Sequence, residues 1–234
     1  MNKDPHILSL NETPGHPQTV AVFENLAKGF KVPIKEEHTR YWRSMLTVGR
    51  VIDSLVDSHH PDSIEKEATE LVGGRPVEGI TELEALEFSE IYHSVSDDRK
   101  AAIRQGLDIN DYAIAMRQAD TFEQFYTLRV EEAEIFGNVM RLDNPHQQTP
   151  IQNFNGWLPK FARAGYLVDS FGDFSIDYKD GVIGLEPNLP RRLKLGKRAL
   201  SEVFSAGSEL PPRTIGFLAL ASVSKMSRNG LRKK

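Results

Sequence analysis

The 234-residue chain predicts an all-α fold, a single-domain helical bundle. Apolar residues recur at three- and four-residue spacing through most of its length. Short clusters of Gly, Pro, Ser and Asp cut those runs at helix lengths. No series of alternating apolar and polar residues of strand length competes with them.

Residues 1–17, with Pro5, Pro14, Gly15 and Pro17, read as an irregular N-terminal segment, and 18–234 as the all-α domain. A short helix is expected over 20–28, ended by Gly29. Beyond Pro33, residues 35–58 form a long helical pattern through Tyr41, Met45, Val48, Val51, Ile52, Leu55 and Val56, ending at His59-His60-Pro61. Those adjacent histidines diverge on a helix, so they read as a helix end and not as a metal pair. Asp62 or Ser63 caps a helix over 64–72, closed by Gly73-Gly74. Helices follow over 83–94, from Ser96 to Gln105, and over 112–118. Asp120-Thr121 caps the run 122–142. After a loop to Pro150, residues 153–178 form a helix ended by Lys179-Asp180-Gly181, and 182–185 read as briefly extended. Two further helices are expected over 191–204 and 212–226.

Composition bounds the function. Hydrophobic content is 39%, charged content 26% and net charge −4, which gives no general reason to bind nucleic acid. Cysteine is absent, so thiolate nucleophiles, disulfides and zinc–thiolate sites are excluded. The start has no apolar signal core, and the apolar stretch 215–223 is too short to span a bilayer; the chain reads as a soluble cytoplasmic protein. Two basic sets, Arg191 to Arg198 and Arg228 to Lys234, read as solvated faces that also attract an anionic substrate or membrane surface.

One helix carries an unusual charge pattern. Asp169, Asp173 and Asp177 stand four residues apart among Phe161, Tyr166, Leu167, Phe171, Phe174 and Ile176. Such spacing stacks carboxylates roughly on one face, where like charges destabilise the helix by a few tenths of a kcal/mol per pair. Removing a rung is therefore expected to leave the fold intact and to raise stability slightly. An EF-hand does not account for the pattern, because Phe171 and Phe174 fall where Asp and Gly belong. A hard cation does, since Mg²⁺ takes one or two protein carboxylates plus substrate phosphates. A shorter ladder, Asp53 and Asp57, follows Arg50 on the earlier helix. Two such ladders facing one another would clamp a diphosphate between metal ions. The bland alternatives are solvated faces for the aspartates and salt bridges for Arg50 and for Arg129, which has Glu132 three residues on.

Residues 41–187, roughly 60% of the chain, resemble the squalene and phytoene synthases of the class I isoprenoid synthases. Arg50, Asp53 and Asp57 fit the first motif, Arg-x-x-D-D-x-x-D, with Ser54 at the second Asp. Asp173, Asp177, Gly181 and Leu185 follow the second motif, with Asp169 at its Asn position; Val182 replaces its Arg, and Pro187 comes one residue late. Tyr126 to Val130 fits the intervening Y-x-x-R/H-V segment, but Glu131 and Glu132 replace the small residues after it.

The resemblance implies an isoprenoid-synthase-like bundle and a prenyl diphosphate substrate of C10 to C20. Mg²⁺ would sit on Asp53, Asp57, Asp169, Asp173 and Asp177, with the diphosphate on Arg50 and Arg129 and Tyr126 in the reacting site. The metal would stabilise the leaving diphosphate, and an apolar pocket would hold the carbocation. Candidate lining residues are Tyr41, Trp42, Phe125, Tyr126, Trp157, Phe161, Tyr166 and Phe174. The glutamates favour one prenyl chain, with Glu132 neutralised by Arg129 or by solvent, and hence a terpene product. Head-to-head coupling of two chains is the alternative. A non-catalytic helical scaffold is another. Peripheral membrane contact and a homodimer are compatible with each.

Overall fold

The computed structural model describes residues 16–57 and 61–210, with the side chains of residues 16–18, 53–57, 61–63 and 110 outside that set. Among the described residues nine helices and no strand occur, so the fold is all-α. They are α1 (His16–Gly29), α2 (Glu36–Asp57), α3 (Pro61–Val72), α4 (Glu82–Ser94), α5 (Asp97–Leu107), α6 (Asn110–Gln118), α7 (Phe122–Val139), α8 (Thr149–Lys179) and α9 (Leu189–Ser208).

Local chemistry explains the boundaries. Thr81 and Thr121 each close a capping box, with Glu84 and Gln124 returning to the cap backbone. Asn188 caps α9 by accepting from the Arg191 N–H. Helices α8 and α9 start earlier than the apolar pattern, because each opens on a proline that supplies the right φ where no N–H is needed: Pro150 and Pro190. Helix α7 stops at Val139, short of the expected 142, and Asn155 holds the chain beyond it. The Asn155 amide donates to the Leu142 carbonyl at 2.7 Å and accepts from its N–H at 2.9 Å. Residues 182–185 form no strand; the Gly184 N–H donates to the Met116 carbonyl at 3.0 Å. The helix expected over 212–226 lies outside the described residues, as do His59 and His60.

The apolar residues gather into two cores. The first joins α1 to α5 with the C-terminal end of α7 and the N-terminal half of α8, around Phe23, Trp42, Phe88, Tyr92, Phe154 and Trp157. The second lies among α6, the start of α7, the C-terminal half of α8 and α9, around Phe125, Leu167, Phe174 and Leu195. Helices α7 and α8 are antiparallel and run through both: Phe125 stacks on Phe174 at one end, and Gly137 meets Pro159 at the other. Helix α9 runs back along α8, with the Trp157 Nε1 donating to the Ala206 carbonyl at 2.9 Å.

Candidate functional site

The second core positions the ladder. Leu167, Ser170 and Phe174 face inward on α8, which turns the Asp177 face toward α7. An i,i+4 step overshoots a full turn by about 40°, so three rungs fan over about 80°. The fan accounts for the exposures. Asp177 lies against α7, Asp173 is half-buried and Asp169 is exposed.

Opposite Asp177 stands Arg129 of α7. Its Nη1 donates to Glu132 Oε2 at 2.7 Å, and its Nη2 lies 3.5 Å from Asp177 Oδ2. The guanidinium is almost wholly enclosed, and its plane approaches the Phe125 ring at 5.9 Å. Burial alone lowers the affinity of Arg129 for its proton. Glu132, Asp177 and Tyr166 more than offset that, so the net direction is up and the cation is secured. The Arg129 Nε–H is buried without a hydrogen-bond partner, as are those of Arg141 and Arg163. A buried N–H of this kind, on a guanidinium that two carboxylates flank, is a donor that an anionic oxygen could satisfy.

Glu132 is thus neutralised by Arg129, as the three-residue spacing suggested, while Glu131 is exposed. Tyr126, one turn before Arg129, packs toward α9. It stacks on Phe122 with centroids 6.2 Å apart, and Arg198 of α9 lies 5.1 Å over its face. Burial, with Glu202 nearby, raises its pKa. A further polar junction, invisible to the motif comparison, joins the three helices. Arg163 of α8 donates to Glu134 of α7 at 2.8 Å and lies 3.3 Å from Glu202 of α9.

The first ladder is placed on the other core. Val51 and Ile52, immediately before Asp53, are buried there, and Gly79 packs near Val51. The side chains of Asp53 and Asp57 lie outside the described residues. Arg50 is half-buried on the same helix. Helix α2 reaches α8 through Trp42 and Phe154, whose rings are 6.0 Å apart. The second ladder begins fifteen residues further along α8, about 22 Å of helix. Among the described residues no three His, Asp or Glu side chains converge as a metal site.

The expected aromatic lining is divided in the same way. Tyr41, Trp42, Trp157 and Phe161 pack in or on the first core, and Phe125, Tyr126 and Phe174 in or on the second. Tyr41 donates its hydroxyl to the Val139 carbonyl, and burial raises its pKa. A cleft of about 580 Å³ opens on the α6–α7 surface beside Gln118, Glu123, Gln124 and Leu128. No protein family, no curated protein and no solved structure matches the chain.

Proposed function

We propose that the chain ionises a prenyl diphosphate of C10 to C20 in an Mg²⁺-dependent reaction and releases a terpene product. The observation that carries this reading is the meeting of Arg129 with Asp177. These residues belong to two separate segments singled out by the isoprenoid-synthase resemblance, and they lie 3.5 Å apart. The donor set suits the chemistry: Asp173 and Asp177 offer hard carboxylate oxygens, and Arg129 offers an enclosed cation with an unsatisfied N–H. Mg²⁺ on Asp173 and Asp177 would neutralise charge on the departing diphosphate; Asp169 is exposed, and the Asp53–Asp57 ladder stands on α2 at the other core, so neither belongs to this set.

The chain's own residues divide the remaining work. Arg129 orients the diphosphate through its fork of donors. Diphosphate oxygens take the place of Asp177 on the guanidinium, which leaves that carboxylate available to the metal. Phe125 presents an aromatic face beside the site.

A second reading is a helical binding protein without catalysis. It is favoured by the two carboxylates that already satisfy Arg129, since a structural ion pair needs no ligand. Incubation with C10, C15 and C20 diphosphates plus Mg²⁺, read by mass spectrometry, separates the two. A cyclic or alcohol product with the carbon count of the supplied diphosphate is expected. A product of twice that count would assign head-to-head coupling instead, and intact substrate would assign the binding protein.

A further inference from the structure

The charge of the chain is divided along its length. Residues 189–234 hold eleven Lys and Arg against two Glu, a net +9; with −4 for the whole chain, residues 1–188 carry −13. The basic end begins with α9, which has a second unusual property. Leu189, Leu193, Leu200 and Phe204 are 71%, 65%, 60% and 74% exposed. At about 100° per residue, these four and Val203 share one arc of about 100°. That arc is centred about 110° away from Leu195, Ala199 and Ala206, the residues that seat α9 on the second core. Arg192 and Lys197 border the arc on its two sides.

Exposed leucines and a phenylalanine on one stripe need a partner that accepts apolar side chains, and the flanking cations need an anionic one. A nucleic acid would use the cations and leave the stripe in water. Residues 211–234 add six Lys and Arg and no acidic residue, a sequence charge of the sign that suits the same anionic partner. We propose that α9 is an interfacial helix. Its Leu189–Phe204 stripe enters the acyl boundary of a bilayer while Arg192 and Lys197 engage anionic lipid headgroups. The proposal is independent of the chemistry assigned to Arg129 and Asp177.

Vesicle flotation of the full chain tests it, with phosphatidylcholine alone against phosphatidylcholine containing phosphatidylglycerol. Binding should be about tenfold stronger to the anionic vesicles and should fall at high salt. Leu200→Gln with Phe204→Gln should weaken it about tenfold at an unchanged melting temperature, because both side chains are exposed. Arg192→Gln with Lys197→Gln should reduce binding to anionic vesicles alone. Equal flotation with neutral vesicles would overturn the proposal, as would wild-type flotation of the stripe variant. A dimer that the stripe substitutions convert to monomer in light scattering would assign the face to a second copy of the chain. Retention on RNA that the stripe substitutions leave unchanged, without flotation, would assign the basic residues to a nucleic acid.

Discussion

Asp177 and Arg129 are 48 positions apart in sequence, and their contact changes what a single rung of the ladder does. From sequence, three carboxylates at four-residue spacing repel, and removal of one should stabilise the helix slightly. The structure corrects that expectation at Asp177, where the Arg129 guanidinium offsets the repulsion. Asp177→Asn should therefore destabilise the chain by about 1–3 kcal/mol, since it leaves an enclosed cation with one carboxylate fewer. Asp173→Asn, without that contact, should stay within about 0.5 kcal/mol of wild type. Urea unfolding of the two variants checks both; an Asp177→Asn chain as stable as wild type would return the rung to plain repulsion. His38 gives a pH dependence. Burial lowers its pKa, helped by Lys35 and opposed by Glu37. The unfolded chain therefore takes up the proton first, at its ordinary value of about 6.5. Stability falls as pH drops through that value and levels off below the folded-state pKa. A His38→Gln chain should lose less melting temperature between about pH 7.5 and 5.5; an equal loss would place the dependence elsewhere.

Helices α7 and α8 approach closely because two residues that weaken helices stand opposite each other. A Cβ added at Gly137 would sit 2.7 Å from the Pro159 Cα, a backbone atom that cannot turn aside. Gly137→Ala should cost about 1–3 kcal/mol of overpacking, more than the roughly 1 kcal/mol of helix propensity that alanine adds. Gly165→Ala, on the same α8 with open space around its Cβ, should instead gain about 0.5–1 kcal/mol. Thermal melts of the pair should move in opposite directions, and a common direction would refute the close approach. Periodicity and caps made these elements legible in sequence, with Thr121 and the Gly-Pro punctuation marking true ends. The starts of α8 and α9 and the end of α7 shifted where proline at a first turn or the side chain of Asn155 decided the matter, and both act outside apolar periodicity.

At the scale of the molecule, composition and periodicity led to an all-α bundle, which the chain forms; the resemblance implied one lined cavity, and the chain builds two cores strung on α7 and α8. Periodicity says which residues are buried but not against which partners, so Trp42 and Phe125 looked alike in sequence and lie in different cores. The candidate site was partly legible. Arg129 with Glu132 followed from helix spacing, whereas Arg129 with Asp177, and Arg163 with Glu134 and Glu202, depend on how three helices dock. The central claim is that the Arg129–Asp177 junction handles a diphosphate. Its most direct test is pyrophosphate release from a C15 prenyl diphosphate, with and without Mg²⁺, by wild type, Asp173→Asn and Arg129→Gln chains of confirmed helical content. Release that requires Mg²⁺ and falls at least about a hundredfold in both variants, on the order of 3 kcal/mol of transition-state stabilisation, is the predicted result. No release by the folded wild-type chain, or equal release by all three, would contradict it.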